Sequence, residues 1–146
     1  MFRGCTSLTT APELPATTLA NYCYAAMFQG CTSITTAPEL PATTLKQNCY
    51  GGIFSGCTSL TTAPELPATT LTNSCYKNMF SNCTKLNYIK AMFTTTPSGS
   101  SPNYYTQNWV SGVASSGTFV KNAAATWTTT GVNGIPTNWT VETASA

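Results

Sequence analysis

The sequence predicts an α/β fold: a solenoid with a parallel β-sheet and short helices, closed by a small α+β cap. Three observations predict it. A 26-residue block recurs without a gap at residues 1–26, 27–52 and 53–78, and a fourth copy starts at Met79 and decays after Leu86. Each block joins a Thr-rich extended stretch to a stretch whose apolar residues fall three or four apart. The first two blocks agree at 19 of 26 positions. A short fixed period of this kind marks units that bury their apolar faces only against their neighbours.

Each element has a local reason. CTSLTTA reads as a short strand, because Thr and apolar residues suit a pleated surface. The two prolines of PELP then stop regular pairing, since neither can donate to a ladder. TLANYCYAAMFQG places Leu19, Cys23 and Met27, with Tyr24 and Phe28, at helical spacing. It predicts about two helical turns, with Thr17 or Thr18 as N-cap and Gly30 and Gly56 as C-terminal stops. A parallel strand plus a short helix per unit is the leucine-rich-repeat plan. Stacking turns each repeated residue into a ladder: Phe2/Phe28/Phe54/Phe80, Leu8/Ile34/Leu60/Leu86, Leu14/Leu40/Leu66, Leu19/Leu45/Leu71 and Tyr24/Tyr50/Tyr76. The solenoid is therefore expected over 1–86, with repeats starting at 1, 27, 53 and 79.

The period is lost near Asn87, and 87–146 is expected to cap the last repeat. TTTPSGSSPN at 94–103 is a turn-rich loop. Ser101-Pro102 predicts a helix start, followed by Tyr105, Trp109 and Val113 on one face. GTFVKN at 117–122 and NWTVET at 138–143 read as strands, and TGVNGIP at 130–136 as a turn.

The units resemble BspA-type leucine-rich repeats, a family of bacterial surface proteins. The residues that carry the likeness are MF-x-GCTSL-TTAPELPATTL-xxxCY at 1–24, 27–50 and 53–76. LNYIK at 86–90, NWVSGVASSGTFVKN at 108–122 and GIPTNWTV at 135–142 resemble the segment that closes many such arrays. Met1 in repeat phase with Met27 and Met79, and the lack of an N-terminal cap, lead to the expectation of a C-terminal piece of a longer array. The resemblance implies display on a cell surface or secretion. It also implies binding to host proteins or other cells, with no common catalytic residues. Similar arrays in phage-derived proteins make a fibre domain that recognises a receptor the alternative. A structural spacer for another module is a third reading.

Composition narrows the function further. The chain carries six Lys/Arg, four Glu, no Asp and no His, and Thr fills about a fifth of it. A net charge of +2 with 7% charged residues leaves no basic footprint for nucleic acid. No apolar run approaches the roughly 20 residues of a bilayer span. Without His or Asp there is no Ser-His-Asp triad and no His metal site. The expectation is a non-enzyme without cofactor or metal that binds a host or cell-surface protein or glycan.

Three constellations are candidates for contact. Glu13, Glu39 and Glu65 form one acidic row. Three equivalent carboxylates on a row lack the asymmetric pair that glycoside hydrolysis needs. They read as a contact stripe or as a solvated row that discourages self-pairing. Thr9, Thr35 and Thr61 run as a hydroxyl row, with Thr10, Thr36 and Thr62 beside it. Trp109 and Trp139 offer an aromatic patch, although large rings in a small cap also do most of its burial. The seven cysteines alternate at spacings of 18 and 8. They fit buried free thiols, disulfides across 18, or disulfides across 8. A pair eight apart on a helix is about 12 Å apart, too far for a bridge. The spacing lacks the CxxC pairs of a zinc site. The copies differ most at Arg3/Gln29/Ser55, at 20–22 and its equivalents, and at Ala25-Ala26/Gly51-Gly52/Lys77-Asn78.

Overall fold

The computed structural model describes residues 2–144. Among them there is no helix, so the expected α/β leucine-rich-repeat class is corrected. The chain is a stack of turn-rich coils carrying one small parallel sheet, β1 (Tyr88–Ala91), β2 (Thr118–Lys121) and β3 (Thr140–Thr143), in that order. The correction applies to 17–30 and its copies, and equally to the cap segment after Pro102, which is turn rather than helix.

The backbone hydrogen bonds give the reason. Over 22–30, alternate N–H groups leave the coil. Tyr22, Tyr24, Ala26, Phe28 and Gly30 donate to the carbonyls of Gln47, Cys49, Gly51, Ile53 and Ser55 on the next coil, at 2.8–3.0 Å. The intervening N–H groups of Cys23, Ala25, Met27, Gln29 and Cys31 turn back to the carbonyl three residues earlier. The segment is thus a ribbon of overlapping turns that pairs with its neighbour. An α-helix would spend every one of these donors internally, four residues back. The dihedrals agree with the ribbon. Every fourth residue has positive φ: Tyr22, Ala26, Gly30; Asn48, Gly52, Gly56; Ser74, Asn78, Asn82. A helix interior excludes that conformation, which Gly and Asn tolerate best.

The ribbon continues beyond the end of the sequence period. Ser74, Tyr76, Asn78, Phe80 and Asn82 donate to Asn103, Tyr105, Gln107, Trp109 and Ser111. Tyr104, Asn108 and Gly112 repeat the positive φ at every fourth position. This coil is longer than its predecessors and accommodates the 94–103 loop. Val110 N–H then donates to Val132, within the turn read at 130–136.

On the strand side, pairing is sparse in the repeats and continuous near the end. Isolated parallel bridges join Thr10 to Thr36, Thr62 to Tyr88 and Leu66 to Ala91. The CTSLTTA stretches therefore touch rather than form strands, because PELP follows at once and removes donors. The sheet proper pairs Tyr88 with Thr118 and Thr118 with Thr140. β2 and β3 lie inside the two stretches read as strands from sequence. β1 falls where the repeat decays and PELP is absent.

The core is the set of ladders. Phe28, Phe54, Phe80, Ile34, Leu60 and Leu86 are fully buried. Phe2, Phe28, Phe54 and Phe80 stack with centroids 5.7, 6.0 and 5.9 Å apart and interplanar angles of 12° or less. Tyr24, Tyr50 and Tyr76 stack likewise at 6.1 and 6.2 Å. Identical rings stack in register, which is how a repeat lacking helices can still bury its interior. Trp109 takes over at the end of both files, 6.0 Å from Tyr76 and from Phe80.

Candidate functional site

The PELP segments position the acidic row. Leu14, Leu40 and Leu66 anchor it from beneath, at 6%, 2% and 0% exposure. Glu13, Glu39 and Glu65 between the prolines are exposed. Fixed φ at each proline holds the segment extended, so the buried Leu directs its neighbouring Glu outward. Two shallow grooves result. One lies between Glu13, Pro15, Glu39 and Pro41. The other lies between Glu39, Pro41, Glu65 and Pro67. Glu39 lines both.

Lys90 ends the row. The bridge from Leu66 to Ala91 puts Lys90 in register with Glu65. Its Nζ lies 3.4 Å from Glu65 Oε1, with both side chains partly exposed. An exposed pair of this kind adds little stability. It does show that a stripe carboxylate can meet an ammonium group presented at the neighbouring rung. The carboxylates of Glu13 and Glu39 make no such ion pair among the described residues.

The Thr row is accessible too. Thr9, Thr35 and Thr61 are exposed, and so are Thr10, Thr36 and Thr62. In a continuous strand adjacent side chains would alternate between faces. Here the bridges are isolated, and both hydroxyl rows reach water. A shallow groove runs between Thr35-Thr36 and Thr61-Thr62. The stripe and the hydroxyl rows thus belong to one stretch of each coil.

The aromatic patch does not form. Trp109 is fully buried and Trp139 is 7% exposed. Their indole N–H groups donate to Gly134 O at 2.9 Å and to Ala114 O at 2.8 Å. Trp127 Nε1 donates to Phe93 O at 3.1 Å. Each indole fills the interior and satisfies its one donor there. Trp109 and Trp139 are accordingly corrected from candidate contacts to core residues.

All seven cysteines are free, with Cys5 and Cys23 exposed and the other five buried. One ladder is structural in a specific way. Cys31, Cys57 and Cys83 direct Sγ at the carbonyls of Phe2, Phe28 and Phe54 on the preceding coil, at 2.9, 3.2 and 3.0 Å. A thiol is a weak donor small enough for that slot. Burial pushes the Cys49 thiol up to about 11 and those of Cys57 and Cys75 up to about 12. Such groups stay protonated and unreactive at neutral pH. Among the described residues no three His, Cys, Asp or Glu side chains converge as metal ligands. No helix in them is long and apolar enough to cross a membrane.

Sequence reasoning missed one surface feature. The turn ribbons present a cleft floored by Gly51 and Gly52, between Ala26 on one side and Lys77 and Asn78 on the other. The signal was available, since these are positions where the copies differ.

Comparison with known proteins finds no matching family model, no matching curated protein and no matching solved structure.

Proposed function

We propose that the chain is a non-catalytic interaction module, displayed on a cell surface or secreted, that adheres to a host or cell-surface protein or glycan. The observation that carries this reading is the repeated PELP stripe. Glu13, Glu39 and Glu65 stand exposed at successive coils with grooves between them. A partner with regularly spaced basic groups would meet the same chemistry at each step. Lys90 against Glu65 is an example of that contact within the chain. The resemblance of the repeat motif to BspA-type surface proteins supports the same class of function. The three carboxylates repeat along one row, set apart only by the Lys90 pair at Glu65, and do not face one another across a cleft as a differentiated acid and base would.

The test is a binding screen against host matrix proteins and glycans, followed by Glu39→Lys. Glu39 lines both grooves, so reversing its charge disturbs two steps at once. The partner's affinity is expected to fall by about tenfold, with the folding transition unchanged. Unchanged affinity would remove the stripe from the account.

A further inference from the structure

The cleft on the ribbon face is built differently from the stripe. Alignment of the coils places Ala25-Ala26, Gly51-Gly52 and Lys77-Asn78 at one register position. The middle copy has two glycines where the next has a lysine and an asparagine. At Gly52 a Cβ would meet nothing within 4 Å, so the missing side chain leaves room there, whereas a Cβ on Gly51 would collide with the Asn48 side chain, which already fills that place. The backbone of both glycines is buried.

Its walls carry amides, hydroxyls and one cation. Gln29, Asn48, Ser55, Asn78 and Ser81 line it together with Lys77, and no carboxylate, aromatic ring or large aliphatic group does. The Lys77 ammonium rests over the Tyr104 ring on the following coil, 5.8 Å from its centre. That ring lies outside the cleft lining, so a ligand carboxylate would draw the ammonium off it on its flexible stem. The cleft is open, with a volume of about 440 Å³, room for a sugar ring but little more.

This chemistry selects among ligands. An apolar ligand finds no matching wall. A basic peptide meets Lys77 and no counter-charge. A hydroxyl-rich ligand can both donate to and accept from the side-chain amides and hydroxyls. A carboxylate on that ligand would gain a charge-assisted hydrogen bond from Lys77.

We propose that this cleft binds an acidic sugar residue, a uronic acid or its equivalent, within a glycan. The site rests on the reading of the chain as a binding module but is independent of the glutamate stripe. The two sites lie on different stretches of each coil and differ in charge.

The experiment titrates the ¹⁵N-labelled full chain with cellobiouronic acid and, separately, with neutral cellobiose. Amide shifts are expected at Gly51, Gly52, Ser55 and Asn78, with the acid bound about tenfold more tightly than cellobiose. Lys77→Gln should bring the two affinities together. Gly52→Asn should abolish binding of both while leaving the unfolding transition in place. Asn is tolerated there because Gly52 has φ 64° and Asn78, at the equivalent position, adopts φ 55°. Glu39→Lys should leave the titration unaltered, which separates this site from the stripe. Two results would overturn the proposal: no shifts at these amides with either sugar, or Lys77→Gln leaving the preference for the acid intact.

Discussion

Gly56 shows what the ribbon demands of a single residue. Its φ is 75°, and a Cβ there would sit 3.6 Å from the backbone of Gly30, which is ordinary contact. The cost of a side chain is therefore conformational rather than steric. Gly56→Ala is expected to lose about 1–2 kcal/mol in denaturant unfolding. Gly56→Asn should lose clearly less, because Asn82 occupies the same register at φ 61°. Equal losses for the two would show that backbone conformation is not the constraint. The buried thiols give a second residue-scale expectation. Their folded pKa lies above the ordinary 9.0, so the folded state holds these protons more tightly than the unfolded chain. Their stabilising effect is complete below about pH 9 and is lost as pH rises towards 11 to 12. A thiol reagent at neutral pH should modify Cys5 and Cys23 in the native protein and the other five only after unfolding. Rapid native modification of all seven would contradict the ladder. The sequence pattern made these ladders readable, because identical residues at a gapless period must stack. The thiols' carbonyl partners were not readable, since they depend on the offset between coils.

At the scale of the element, the ribbon carries the main lesson. Leu19, Cys23 and Met27 recur every four residues, and overlapping four-residue turns give a period close to the 3.6 of a helix. Apolar spacing alone does not separate the two. The deciding signal was the other residue class. Eight of the twelve ribbon positions with positive φ at 22–112 are Gly or Asn, a choice that a helix interior would penalise. Gly30 and Gly56 were readable as helix stops only when each was taken singly. The PELP segments were more legible, because two prolines three apart limit pairing to an isolated bridge such as that of Leu66 with Ala91, and Glu13, Glu39 and Glu65 stay exposed between them. The tail's strands were legible for the same reason in reverse, since 118–121 and 140–143 contain no proline. Packing between elements can be tested at Leu60, which is fully buried between Ile34 and Leu86 in its ladder. Leu60→Ala should cost about 2–5 kcal/mol, because rings and backbone on both sides are fixed by their own ladders. A cost below 1 kcal/mol would mean that the coils slide together to fill the space.

At the scale of the molecule, the direction of the hydrogen bonds makes the two ends of the stack unlike. Each ribbon donates to the next, so the carbonyls of a ribbon serve as acceptors for the coil before it. Among the described residues no backbone N–H reaches the carbonyls of Arg3, Asn21, Cys23 or Ala25. At the other end, Thr106 and Val110 donate to Ser98 and Val132, and Trp109, the ring that ends the Phe and Tyr files, is covered. Phe2, Leu8, Tyr24 and Met27 are only partly buried, whereas their equivalents one coil on, Phe28, Ile34, Tyr50 and Ile53, are 1% exposed or less. The interior thus deepens from the first coil onward, so Glu39 and Glu65 are held by better-packed coils than Glu13 is. All of this rests on alternate N–H groups crossing between coils. Through-hydrogen-bond scalar couplings, recorded by a long-range HNCO experiment, test it directly. The amides of Tyr24, Tyr50 and Tyr76 should correlate with the carbonyls of Cys49, Cys75 and Tyr105. Correlations instead to Ala20, Lys46 and Thr72, four residues back, would establish helices and contradict the ribbon.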